Sequence, residues 1–183
     1  AKGTAFLDAH HLLNSMEEEI AQFLAYYTML AKALPELGIT ETALQKITED
    51  KVQNWEGGFR LLPGAKEALE ALKGRYRLGV ISDTWPSIVP VLEHFGLSAY
   101  FDCFTFSYSL GVFKPHLKMY EDALQKMGLP PEQTVFVDDS LENLEGARKA
   151  GIQPVLIHWK PNSGPREGVA CISEPMELLK LLG

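Results

Sequence analysis

The sequence predicts an α/β fold, a parallel sheet with helices on its faces and a small helical block inserted after the first strand. Three observations carry this. Short apolar runs alternate with helical patterns from Leu62 to the C-terminus, the order that parallel βαβ units produce. From about Asn14 to Arg60 the alternation stops and only helical spacing remains. The 183 residues suffice for one core domain with an insertion, and are too few for two large domains.

Taken in order, Thr4 to Leu7 is an apolar run that reads as a buried strand ending in Asp8. Met16, Ile20, Phe23, Leu24, Tyr27, Leu30 and Leu34 then recur at helical spacing, and Pro35 closes that helix. Thr40 with Glu41 reads as the start of a second helix, and Trp55 and Phe59 as packing residues. Ala65, Leu69 and Leu72 mark the next helix face, followed by strands at Arg77 to Ile81 and Phe101 to Phe106. Tyr120, Leu124 and Met127 mark another helix, and Thr134 to Val137 another strand. The helix carrying Leu141, Leu144 and Ala147 stops at Gly151, since glycine takes positive φ at little cost. Pro154 to Ile157 is the last expected strand. These bounds give a core of residues 1–13 and 61–183 and a helical cap of residues 14–60, placed to lean over the strand ends.

The formal net charge of −7 and the scattered basic residues argue against nucleic-acid binding. No apolar run reaches the roughly 18 to 20 residues needed to cross a bilayer. Cys103 and Cys171 are far apart, outside any metal-knuckle spacing. With no export signal in the sequence, a reducing cytoplasm is the expected compartment. The sequence sets no oligomeric state.

In open parallel sheets, ligands bind beyond the carboxyl ends of the strands. Four such places stand out: Asp8, followed by His10 and His11; Ser82 in "VISDTWPS"; Lys114 in "GVFKPH"; and Asp138 with Asp139 in "VFVDDSLEN". Two carboxylates at one strand end repel each other, so a cation is the natural compensation. Magnesium suits hard oxygen ligands, with Asp8 as a third carboxylate from another strand end. The bland reading makes one of the pair a helix cap and the other a solvated acid. Lys114, in a turn stiffened by the following proline, can neutralise a bound phosphate. Ser82 can donate a hydroxyl, and the amides of the following helix can bind phosphate oxygens. His11, His94, His116 and His158 read as ordinary surface or packing histidines.

Together "LLPGAKEALEAL", "LGVISDTW", "GVFKPHLKMYEDALQKMG" and "TVFVDDSLENLEGARKAG" resemble the haloacid dehalogenase superfamily, particularly its phosphatase-like members with a small cap. The resemblance covers nearly the whole chain and implies a Rossmann-like three-layer sandwich. It implies Asp8 as the nucleophile that becomes an aspartyl-phosphate, Ser82 and Asp83 with Lys114 on the phosphate, and Asp138 and Asp139 as the acidic pair oriented by Asn143. Mg²⁺ would be held by Asp8, the His10 carbonyl and that pair. The usual first motif resembles D-x-D-G-T/V-L, whereas this chain reads "DAHHLL". His10 therefore stands where a second acid does the proton transfer, and its imidazole titrates near neutrality. The expected activity is Mg²⁺-dependent hydrolysis of a small phosphorylated metabolite. Two alternatives stand beside it: a catalytically degenerate binding protein of the same fold, and a 2-haloacid dehalogenase.

Overall fold

The computed structural model describes residues 2–55, 58–158 and 168–183. Its elements run α1 (Lys2–Ala9), α2 (Met16–Ala33), α3 (Glu41–Gln53), α4 (Ala65–Leu72), β1 (Gly79–Ser82), α5 (Ile88–His94), β2 (Cys103–Phe106), α6 (Ser107–Leu110), α7 (Leu117–Met127), β3 (Val135–Asp138), α8 (Leu141–Lys149), β4 (Gln153–Ile157), β5 (Ala170–Ile172) and α9 (Leu178–Leu182).

Every strand pair is parallel, but the strands form two sheets. β1 pairs with β2, from Gly79 opposite Cys103 to Ser82 opposite Phe106. The other sheet has the order β3-β4-β5, with Asp138 opposite Leu156 and Ile157 opposite Ile172. Strands expected at Arg77 to Ile81, Phe101 to Phe106, Thr134 to Val137 and Pro154 to Ile157 are present with shifted ends, and β5 is an addition.

The strand expected at Thr4 to Leu7 is not formed. Those residues belong to helix α1. A four-residue apolar run carries too little periodicity to separate strand from helix. Here the local helical pairing prevails: the rings of Phe6 and His10, four residues apart, stack at 4.5 Å, and His10 Nδ1 is 2.8 Å from the Phe6 carbonyl.

The expected helical block is α2 and α3, each begun by the residue type that caps helices. Ser15 Oγ accepts from the Glu18 amide, and Thr40 Oγ1 accepts from the Ala43 amide. Their mutual face is held to the core by three side chains of α2. The fully buried Glu19 accepts from the Ser87 amide and hydroxyl, both at 2.8 Å. Gln22 accepts from Trp85 Nε1 at 2.7 Å, and the Phe23 and Trp85 rings lie 5.4 Å apart.

The main apolar core joins α7 and α8 to β3 and β4 through Met119, Tyr120, Phe136, Leu144, Ala147, Ile152 and Leu156. Gly146 sits where α8 meets this core. A Cβ there would come within 2.7 Å of Tyr120 Oη and 2.8 Å of Pro115 Cβ. Gly146→Ala therefore gains roughly 1 kcal/mol of helix propensity but overpacks a proline ring and a buried tyrosine, at about 1–3 kcal/mol. A net loss of about 1 kcal/mol is expected, measurable by urea unfolding; an unchanged or raised midpoint would contradict the packing described.

Candidate active site

The carboxyl ends of β1 and β3 meet at one side chain. Lys114, brought in by the turn before α7, places Nζ 2.8 Å from Asp138 Oδ2 at the end of β3 and 3.4 Å from the Ile81 carbonyl of β1. The pair is nearly dry, with side-chain exposures of 10% for Lys114 and 8% for Asp138. The second Asp138 oxygen accepts from the Ser140 amide at 2.8 Å and from Asn143 Nδ2 at 3.1 Å. Asn143 thus contacts the first acid of the pair. On the β1 side, Asp83 accepts from the Lys114 amide at 2.9 Å, and Ser82 is the last residue of β1. Desolvation on its inner side raises the Asp83 carboxyl above the usual range; Lys114 opposes this and the Asp138 charge adds to it. Asp139 is exposed beside the site.

Asp83, Lys114, Asp138 and Asn143 are therefore joined at one mouth, with Ser82 and Asp139 next to them in the chain. Asp8 and His10 are not joined there. Asp8 lies exposed near the end of α1, and the Lys114 ammonium pairs with Asp138. The His10 carbonyl, expected on a metal, accepts from Gln22 Nε2 at 2.6 Å. Among the described residues no three of the His, Cys, Asp and Glu side chains come together as metal ligands. Both Asp138 oxygens are already engaged by cationic or amide donors. With Asp8 held on α1, the three carboxylates that the sequence suggests for magnesium, Asp8, Asp138 and Asp139, are not assembled in this arrangement of the described residues.

The amides expected to take phosphate are also engaged: the Thr84 amide donates to Ser107 Oγ, and the Ser87 amide to Glu19.

His11 departs from its expected surface role. It is 1% exposed, stacked on Phe113 at 4.0 Å and edge-on to Trp85 at 4.9 Å. Its Nε2 shares a 2.7 Å hydrogen bond with Ser107 Oγ. Burial lowers its pKa from 6.5 to about 4, the Asp8 charge opposing. Neither His11 nor Glu19 was legible as a site-forming residue, because each acts through partners about 70 to 100 positions away. The one local signal was the apolar flank of His11, "HLLNS".

Comparison with known proteins gives one consistent answer. A family model described as a haloacid dehalogenase-like hydrolase matches residues 9–151. Haloacid dehalogenase-like hydrolase domain-containing protein 3 of Xenopus laevis is 38% identical over 109 residues, covering 58% of this chain and 43% of that protein. Pyrimidine 5'-nucleotidase YjjG of Escherichia coli K12 is 32% identical over 127 residues, covering 66% and 56%. The chain thus spans about half the length of the curated relatives it matches. Among solved structures, a HAD phosphatase from Thermococcus onnurineus aligns with a TM-score of 0.67 at 24% identity over 92% of each chain. A 2-haloacid dehalogenase from Pseudomonas syringae aligns with a TM-score of 0.70 at 18% identity over 98% of this chain and 77% of its own. At those identities the structures show the fold alone.

Two outcomes follow from this geometry. Lys114→Met strands a buried carboxylate and should cost about 3–5 kcal/mol in urea unfolding, with part recovered in Lys114→Met/Asp138→Asn, which carries no charge there; equal losses in both would contradict a buried ion pair. For His11, the folded pKa lies below the unfolded one, so the unfolded chain takes up the proton first as pH falls. The stability from keeping it neutral is whole above pH 6.5 and is lost between 6.5 and about 4, up to about 3 kcal/mol. His11→Phe should lose less stability than the wild type over that window.

Proposed function

Because the chain belongs to the haloacid dehalogenase-like hydrolases, we propose that it is a phosphomonoester hydrolase acting on a small phosphorylated metabolite at the mouth formed by Ser82, Asp83, Lys114 and Asp138. The observation that carries this reading is the position of Lys114. A desolvated ammonium at the joint ends of two parallel strands meets the non-bridging oxygens of a phosphoryl group, where charge builds in the transition state. Ser82 donates its hydroxyl to the same group.

By the resemblance the attacking group is the Asp8 carboxylate, which lies on α1 with no bond to the mouth in this arrangement. Its oxygen bonds to phosphorus as the ester P–O bond breaks, and water then hydrolyses the acyl phosphate. His10 stands where the resemblance puts a proton-transfer acid, with its Nδ1 against the Phe6 carbonyl, while Asp83 holds the lysine turn by accepting from the Lys114 amide. These steps run on the chain's own groups. Helices α2 and α3, residues 14–60 by the domain reading, act as a cap that screens the mouth from water and contacts the non-reacting part of the substrate.

Among the relatives, the pyrimidine 5'-nucleotidase of Escherichia coli guides the substrate class. Dehalogenation has less support, since Asp138 with Asp139 suits a metal-assisted phosphoryl transfer that dehalogenation does not require. The test is a panel of nucleoside monophosphates, sugar phosphates and phosphorylated acids with a parallel halide-release assay. Phosphate release is expected, Lys114→Ala lowering kcat/KM by about a hundredfold or more and Asp8→Asn abolishing turnover. A wild type silent on the whole panel would favour a degenerate binding protein.

A further inference from the structure

His11 stands at the place of the glycine in the usual first motif, and a glycine could make none of the contacts that its side chain makes here. The ring is 1% exposed. It stacks on Phe113 at 4.0 Å, directly before Lys114 in the chain, and meets Trp85, directly after Thr84, edge-on at 4.9 Å. Its Nε2 lies 2.7 Å from Ser107 Oγ. Ser107 opens α6 at the carboxyl end of β2 and is fully buried. It holds Thr84 by both backbone groups: the Thr84 amide donates to Oγ at 2.8 Å, and Oγ donates to the Thr84 carbonyl at 3.1 Å. One imidazole thus touches the turn that follows Ser82 and Asp83 and the turn that carries Lys114.

The donors and acceptors give that contact a direction. A hydroxyl has one proton and two lone pairs. Ser107 uses its proton on the Thr84 carbonyl and one lone pair on the Thr84 amide, so the other lone pair accepts from His11, which carries its proton on Nε2. His11 Nδ1 has no partner among the described residues. In this tautomer it buries a bare lone pair; the reverse tautomer would bury an unpaired N–H, the orphan that folded proteins tolerate least. The seat is close on both sides of the bond. A Cβ at Gly111 would lie 3.4 Å from Leu12 Cβ, and the Leu13 amide donates to the Tyr108 carbonyl at 2.9 Å.

We propose that His11 is a positioning residue of the mouth: its Nε2–H, relayed through Ser107 to Thr84, and its ring, stacked on Phe113, set the Ser82–Thr84 turn against the Lys114 turn so that hydroxyl and ammonium face one bound phosphate. The Lys114 amide joins the same turns at Asp83, an exposed residue where water competes for the bond. His11 supplies the dry half of the clamp, where a hydrogen bond is stronger. Small displacements matter at such a mouth, since a group moved by about 1 Å can lose about a hundredfold in rate. That a phosphate occupies the mouth rests on the phosphatase reading; the clamp between the turns does not.

Inorganic phosphate is the probe, because unfolded molecules lower the stoichiometry of binding and leave the affinity of folded ones unchanged. His11→Phe keeps a ring against Phe113 and removes the N–H, Ser107→Ala removes the relay and leaves the imidazole, and His11→Gln returns an N–H toward Ser107. By isothermal titration, phosphate affinity should fall about tenfold in His11→Phe and in Ser107→Ala. It should fall no further in the double variant, where both changes break one chain of bonds, and recover to within about twofold in His11→Gln. Losses that add in the double variant, or a His11→Phe affinity within about twofold of wild type, would overturn the proposal and leave His11 a packing residue. A wild type that neither binds phosphate nor releases it from any substrate would remove the phosphatase reading alone, and amide hydrogen exchange then decides the clamp. The Thr84 and Lys114 amides should exchange about tenfold faster in His11→Phe and Ser107→Ala, with the amides of β3 and β4 unchanged and protection regained in His11→Gln. Equal exchange at Thr84 and Lys114 in wild type and variants would overturn the clamp as well.

Discussion

A single nearly dry ion pair, Lys114 with Asp138, spans the place where the two sheets of this protein approach each other. One sheet ends at Ile81 and Ser82, the other at Asp138, and the ammonium touches both. Taking two charges out of water costs several kcal/mol per ion, and their attraction offsets that only where every remaining polar atom is satisfied. Here it is. Ser140 and Asn143 serve the second carboxylate oxygen, and Asp83 takes the lysine's own amide. Such a pair adds little net stability, yet losing either member leaves a buried charge. Its value lies in position: it fixes a cation at the carboxyl ends of parallel strands, where the fold gathers ligands.

A second buried charge controls how the helical block sits. Glu19 on α2 is removed from solvent, and burial raises its carboxyl, opposed by its hydrogen bonds to Ser87. Its two bonds fall on the start of α5, and a carboxylate is favoured at a helix N-terminus. Trp85 extends the joint, with its ring between Phe23 and His11 and its indole N–H on Gln22. Gln22 in turn donates to the His10 carbonyl. The segment leading out of α1 is thus clamped between block and core at one point, and Phe6 of α1 meets the Tyr26 ring of α2.

Much of this was legible from the residues alone. The strands at β1 to β4 follow from apolar runs bounded by turns, and helices α4, α7 and α8 from spacing that puts one face inward. Ser82, Lys114 and Asp138 were recognisable because each follows such a run directly. Asp8 was assigned by the same rule. That rule failed in the folded chain because a four-residue run has two solutions, and the local stacking of Phe6 on His10 favours the helix. His11 and Glu19 were missed for a different reason: their partners, Ser107 and Ser87, lie far away in the chain and leave no periodic trace.

Sequence by itself determined the family, helices α2, α3, α4, α7 and α8, strands β1 to β4 and the residues at the ends of β1 and β3, because local periodicity and the residue after each strand are written within a few positions. The tertiary structure decided which charges pair, how the helical block is fastened and that β1 and β3 lie in separate sheets. Those outcomes depend on desolvation and edge pairing between segments distant in the chain, which no local pattern encodes.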